Sequence, residues 1–113
     1  MKKSIAMKWV EALRSGEYRQ TTSVLRNEDG IGHCCLGVLC ELSPNQKNYM
    51  NLSRNKRKNE VLPLVVQKWA GMKTANGEFK YSAMPETALS GLNDNGDTFE
   101  QIADLIETYW KKL

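Results

Sequence analysis

The stretch HCCLGVLCEL, residues 33–42, decides how this sequence is interpreted. It holds the only histidine and all three cysteines of the 113-residue chain. From about Cys35 its apolar residues suit a helix, and Ser43-Pro44 would stop that helix at Leu42. The sequence therefore predicts a helix from about Cys35 to Leu42, with extended backbone before it.

The sulfur atoms suggest a catalytic thiol as a first hypothesis. A cysteine at a helix N-terminus is stabilised as the thiolate, and Cys34 or Cys35 would lie there. Such a thiol also needs a positioned base. His33 is adjacent to Cys34, and neighbouring side chains on extended backbone point to opposite faces. A small cysteine-dependent enzyme using Cys34 or Cys35 is therefore an alternative and not the leading interpretation.

Metal binding is a second hypothesis for the same residues. Structural zinc sites use four ligands, typically in closely spaced pairs. Cys35 and Cys40 would lie about 140° apart on a helix, which does not suit a closed tetrahedral site. Because free cysteine packs as a small hydrophobe, we expect Cys40 to lie in the core, with Gly37 allowing close approach of another element. No metal or cofactor is predicted.

Composition limits the class of protein. The chain is 41% hydrophobic and 26% charged, with a mass of 12.8 kDa, which suits one folded domain over residues 1–113. No apolar run approaches the roughly 18 residues of a membrane span, and the charged start MKKSIAMKWVEALRSGE lacks the apolar core of a signal peptide. We expect a cytoplasmic protein with reduced thiols and no membrane partner.

Helical spacing is clearest at the two ends of the chain. SIAMKWVEALRS predicts an amphipathic helix over residues 4–15, with Ser4 as candidate N-cap and Gly16 as its stop. Near the other end, Thr98 and Gln101 form the pattern of a capping box before an apolar stripe. These two helices are predicted from local pattern alone.

The middle of the chain predicts shorter elements. Residues 27–30, NEDG, form a turn signal between TTSVLR and IGHCC, which suits a short hairpin. A third helix is expected over residues 63–71, and another short helix should begin at Pro85 and end around Asn93. GEFKY, residues 77–81, suits a short strand or an extended loop.

The predicted fold class is α+β, an α-rich single domain of four to five helices packed around a short β-hairpin. The expected core contains Trp9, Leu13, Leu36, Leu39, Trp69, Ile102 and Ile106.

A basic surface loop is predicted over residues 43–59. Although the net charge is only +3, Arg54, Lys56 and Arg57 concentrate positive charge in that segment. Such a run suits a phosphate-bearing ligand or an acidic partner surface, and equally suits a solvated loop. The other candidate ligand-binding residues are the polar residues near the hairpin, namely Tyr18, Gln20, Thr21, His33 and Cys34.

Two further motifs fail on spacing. TFEQIADLI resembles the first helix of a helix-turn-helix, but no recognition helix follows, so no sequence-specific nucleic acid is expected. NDNGD, residues 93–97, has the oxygen atoms of a calcium loop, but its twelfth position is Asp104 within the last helix instead of a bidentate glutamate. A turn followed by a helix cap explains the same residues.

Four motifs together carry a resemblance. KWVEALRSGEY, CCLGVLCEL, PLVVQKWAG and LNDNGDTFEQIADLIE resemble a group of small uncharacterised proteins of tailed phages and prophages. The resemblance covers most of the chain except the basic loop, and it brings no catalytic residues with it. It implies a setting, the cytosol of a bacterial host, in which small accessory proteins bind host components or signals.

The leading functional hypothesis is a noncatalytic phage-encoded accessory binding protein that counters host defence. It would sequester a nucleotide-type, phosphate-bearing small molecule or dock on a host protein. Beside the cysteine-dependent enzyme, a homo-oligomeric structural or regulatory factor is the other alternative.

Overall fold

Five α-helices and two pairs of very short strands make up the regular structure of the part that the computed structural model describes, residues 1–44, 61–81 and 86–113. In chain order the elements are α1 (Lys3–Arg14), β1 (Arg19–Gln20), β2 (Gly32–His33), α2 (Cys35–Leu42), α3 (Leu64–Ala70), β3 (Glu78–Phe79), β4 (Thr87–Ala88), α4 (Leu89–Asp94), α5 (Phe99–Tyr109) and a 3₁₀ turn (Trp110–Lys112). The predicted α-rich α+β fold class is confirmed.

The helices α1 and α5 pack against each other along their apolar faces. The stripe of α1 follows helical spacing through Ile5, Trp9 and Leu13, and all three side chains are buried. The capping box of Thr98 and Gln101 begins α5, as predicted. At the surface, Arg14 of α1 forms ion pairs with three carboxylates of α5, those of Glu100, Asp104 and Glu107.

The helix α2 lies in the interior, and its first six residues are all buried. Because its residues are mostly apolar on every side, α2 can be buried along most of its length, which is typical of a core helix. Gly37 lets it approach the backbone of Leu25, since a β-carbon built at residue 37 would lie 1.7 Å from the Leu25 carbonyl oxygen. The predicted close approach at Gly37 and the core position of Cys40 are confirmed.

The strands pair differently from the predicted hairpin. The turn at residues 27–30 is present, with Gly30 at φ +74°, but only one antiparallel bridge, Arg26 to His33, flanks it. The two-residue strand β2 instead pairs in parallel with β1. The hairpin is short because β2 ends at His33 and α2 begins at Cys35. On the β1 side, the backbone N–H of Thr21 donates to the His33 carbonyl oxygen at 2.8 Å. A second pair, β3 with β4, is antiparallel.

Three helix boundaries differ from the sequence prediction. The N-cap of α1 is Lys2, so Ser4 lies inside the helix and is not its cap. Pro63 is the N-cap of α3, whose C-cap Gly71 adopts the left-handed conformation at φ 71°, as Gly suits. Pro85 lies outside the described residues, and the helix expected to begin there begins at Leu89, because Thr87 pairs with Phe79 in the β3–β4 ladder.

One buried cluster joins all five helices within the described residues. Six of the seven predicted core residues are buried, and Trp69 is the exception, since it keeps part of its surface exposed. The reason is that α3 turns Val66 and Ala70 inward and leaves Leu64 61% exposed. No helix among the described residues is both long and apolar enough to cross a bilayer.

Candidate functional site

Five of the predicted ligand-binding residues do meet in space. Tyr18, Gln20, Thr21, His33 and Cys34 lie together where β1 and β2 run into the first turn of α2. The other three, Arg54, Lys56 and Arg57, lie outside the described residues. We call the meeting point of β1, β2 and the start of α2 the strand–helix junction.

The histidine is held from both sides. The Nδ1 atom of His33 lies 2.9 Å from the Ile31 carbonyl oxygen, and its Nε2 atom lies 3.1 Å from Oε1 of Glu41. Both partner atoms are hydrogen-bond acceptors, so the ring can donate to them from its N–H groups. The ring of Tyr18 meets the imidazole edge-on at 5.2 Å. The His33 ring is thus oriented by internal contacts and is only 4% exposed.

Around this histidine lie further charged and polar groups. Arg26 Nε lies 3.9 Å from Oε1 of Glu41, and both side chains keep some exposure, 30% and 18%. Burial raises the pKa of the Tyr18 phenol, and the negative charges of Glu41 and Glu17 raise it further. Glu41 is the next-to-last residue of α2, so the basic segment of residues 43–59 follows directly along the chain.

A second network, of hydrogen bonds between α4, α2 and the β1 region, centres on the buried side chain of Asn93. Its Oδ1 accepts hydrogen bonds from the Cys35 N–H at 3.1 Å and from Nε2 of Gln20 at 2.9 Å. Its Nδ2 donates to the Thr21 carbonyl oxygen at 2.8 Å. Asn93 therefore serves as the N-terminal cap of α2, whose own N-cap Cys34 makes no side-chain cap hydrogen bond.

The amide of Gln20 is fully engaged by the same network. Its Nε2 also donates to the Asp97 carbonyl oxygen at 2.7 Å, and its Oε1 accepts the first N–H of α5, from Phe99, at 3.1 Å. The hydroxyl of Thr21 lies 3.3 Å from Oδ1 of Asn27. A ligand that accepted a hydrogen bond from the side chain of Gln20 or Thr21 would have to displace these internal bonds.

The three thiols are free and buried. Burial raises the pKa of the Cys34 thiol from its usual 9.0 to about 11. Burial likewise raises the pKa of Cys35 far above its usual value, and Cys35 Sγ lies 3.5 Å from the Leu89 carbonyl oxygen. The pKa of Cys40 is also raised by burial. None of the three thiols is hydrogen-bonded to His33, whose described side-chain partners are Ile31 and Glu41.

No group of three or more potential metal ligands occurs in the described parts of the chain. The residues 93–97 that resemble a calcium loop form the end of α4 and a turn before Thr98, with Gly96 at φ 104°. The carboxylate of Asp94 accepts the backbone N–H of Ser23 at 2.9 Å. The interpretation of this segment as a turn followed by a cap is confirmed.

Sequence reasoning missed the two side chains that organise this region, Asn93 and Glu41. A signal for Asn93 exists, because it lies four residues after Leu89 and shares the buried face of α4 with it. A polar amide at such a position usually has internal partners. Glu41 gives no such signal, since it is an ordinary polar residue near a helix end.

Comparisons with known proteins give a family and no activity. No curated protein and no solved structure matches the chain. A family model described as a domain of unknown function, DUF8296, matches residues 1–110. The chain therefore belongs to the DUF8296 family.

Proposed function

We propose that this chain is a noncatalytic accessory protein that binds a phosphate-bearing small molecule or an acidic surface of a host protein. The resemblance to small phage and prophage proteins motivates its setting, the cytosol of a bacterial host, and its role, interference with a host defence. The strand–helix junction and the basic segment that follows α2 are the proposed binding region.

The position of the reactive groups carries this proposal. Because burial raises its pKa to about 11, the Cys34 thiol stays protonated at neutral pH. Cys35 is completely buried, and the two ring nitrogens of the sole histidine face Ile31 and Glu41. Nucleophilic catalysis needs an ionised, accessible thiol with a base beside it. The groups with reactive chemistry thus serve packing and orientation.

The charges outside the core support an anionic ligand. The basic segment begins immediately after α2, and at the end of that helix Glu41 keeps its carboxylate next to His33 and Arg26. Arg54, Lys56 and Arg57 supply positive side chains to that segment. Charge-assisted hydrogen bonds from such groups are strong enough to hold a phosphate.

Titration calorimetry of the whole chain with ATP, cyclic AMP and inorganic pyrophosphate tests the proposal. We expect measurable binding of at least one probe, and an affinity loss of roughly tenfold or more when Arg54, Lys56 and Arg57 are changed together to Ala. Unchanged affinity in that triple variant would contradict a role for the basic segment.

The matched control removes the same number of charges from Lys3, Lys8 and Lys68, which are exposed on α1 and α3, and should bind like the wild type.

Iodoacetamide labelling tests the alternative that the chain is a cysteine-dependent enzyme. We expect no modification of the native thiols and full modification after unfolding. A native thiol that reacts faster than free cysteine would overturn the noncatalytic interpretation.

A further inference from the structure

Four lysines from two distant parts of the chain meet around the 3₁₀ turn that follows α5. Nζ of Lys73 donates to the Lys111 carbonyl oxygen at 3.3 Å, and Nζ of Lys112 donates to the Lys80 carbonyl oxygen at 2.9 Å. All four lysines are exposed. Together with the adjacent rings of Tyr81, Tyr109 and Trp110 they form what we call the lysine–aromatic surface.

The ion pairs of this surface differ from those at the other end of α1. None of its four lysines forms an ion pair with a described carboxylate, whereas Arg14 at the other end of α1 pairs with three. The amino group of Met1 lies close by, because it donates to the Leu113 oxygen at 2.6 Å and to the Trp110 carbonyl oxygen at 3.3 Å. Burial, and after it the charge of Lys73, lowers the pKa of that amino group. Positive groups are thus concentrated here.

Aromatic rings lie between the lysines. Nζ of Lys111 is 5.6 Å from the centroid of the Trp110 ring, and Nζ of Lys112 is 5.6 Å from that of Tyr109. The Tyr109 ring lies 5.2 Å from that of Tyr81 with 31° between their planes. These three rings keep part of their surface accessible, while Phe79, which contacts Tyr81 and Tyr109, is buried. Each accessible ring therefore has a cation or a second ring beside it.

We propose that the lysine–aromatic surface binds single-stranded nucleic acid without sequence preference. Lysine ammonium groups act as point charges for successive phosphates. When Lys111 and Lys112 turn from the rings of Trp110 and Tyr109 to contact phosphates, those ring faces open for unpaired bases to stack on. An acidic protein would use the lysines but would gain little from the rings. No residue of this surface belongs to the basic segment of residues 43–59, and its test does not depend on nucleotide binding by that segment.

Fluorescence anisotropy with labelled DNA and RNA oligonucleotides of about 12 nucleotides tests the proposal, a length that suits one small binding surface. We expect both oligonucleotides to bind. In a plot of the logarithm of the binding constant against the logarithm of the salt concentration, the slope should be about −0.7 for each phosphate contact. An abasic backbone of equal length should bind several-fold more weakly, because it offers charge without stacking. Equal binding of the abasic strand would overturn the proposal.

Variants of the whole chain locate the site. Lys111→Ala should weaken binding roughly fivefold at about 100 mM salt, the contribution of one phosphate contact. Lys8→Ala removes the same charge from an exposed position on α1 and should leave the affinity unchanged. Circular dichroism of both variants checks that the fold is retained. Equal effects of the two substitutions, or equally tight binding of a labelled polyglutamate peptide, would overturn the proposal.

Discussion

At the scale of single residues, Gly37 is a position where one added methyl group should matter most. A β-carbon at this position would lie 1.7 Å from the Leu25 carbonyl oxygen and 2.7 Å from the carbonyl carbon. Backbone atoms cannot rotate away as a flexible side chain does, so α2 or the segment of Leu25 would have to move. The sulfur-rich helix therefore depends on a residue without a side chain.

We predict that Gly37→Ala lowers the free energy of unfolding by about 3 kcal/mol, despite a gain of about 1 kcal/mol in helix propensity. Urea denaturation followed by circular dichroism measures the difference. Gly91→Ala is the matched control, because Gly91 is also helical and a β-carbon added there would have nothing within 4 Å. A Gly37→Ala protein as stable as the Gly91→Ala protein would contradict the close packing of α2 against Leu25.

At the scale of elements, α2 depends on α4 for its N-terminal cap. The first turn of any helix has backbone N–H groups without partners in the helix. In α2 the N–H of Cys35 donates to Oδ1 of Asn93, and Asn93 binds Gln20 and Thr21 of the β1 region at the same time. One buried amide thus connects two helices and a strand pair that are far apart in sequence.

Asn93→Ala should therefore destabilise the protein by about 3 kcal/mol, since it leaves several buried polar groups without a partner. Amide hydrogen exchange should show faster exchange at Cys35 in the variant. Asn95→Ala, an exposed position at the end of the same helix, is the control and should change the free energy of unfolding by less than about 0.5 kcal/mol. If both variants were equally stable, Asn93 would not be the cap that α2 requires.

The contrast between the elements that sequence predicted and those that it missed has a physical basis. The helices α1, α2 and α5 follow from local apolar spacing and from stop or cap signals such as Pro44 and Thr98. The parallel β1–β2 pair does not, because its position depends on Asn93 hydrogen bonds to Gln20 and Thr21 across more than seventy residues of sequence. Helix spacing is local information, whereas this pairing is not.

In the candidate site, too, the sequence predicted local positions but not the contacts between distant residues. Sequence placed His33 and Cys34 correctly at the border between the strand and the helix, and grouped them with Tyr18. It did not indicate Glu41 as a partner of His33, because eight residues separate them and the pairing depends on how β2 meets α2. The lysine–aromatic surface was missed because Lys73 and Lys111 come together only in the folded chain.

At the scale of the whole molecule, burial of the thiols makes stability depend on pH. In the folded chain the pKa of Cys34 is about 11, against its usual 9.0 in the unfolded chain. Below about pH 9 both states hold the proton, and the stabilising contribution is fully present. Between about pH 9 and pH 11 only the unfolded chain loses the proton, so the free energy of unfolding falls as the pH rises.

The size and origin of this fall can be measured. The rise of the Cys34 pKa from 9.0 to about 11 corresponds to a loss of about 3 kcal/mol in the free energy of unfolding between these two pH values. The raised pKa values of Cys35 and Tyr18 act in the same direction. Urea denaturation at a series of pH values should show a shallower decline for Cys34→Ala than for the wild type. Val38→Ala shortens another fully buried side chain of α2 and should lower stability at every pH while keeping the wild-type slope. Equal slopes for all three proteins would mean that Cys34 ionises as readily in the folded chain as in the unfolded one, and that its thiol is accessible to the chemistry that burial otherwise prevents.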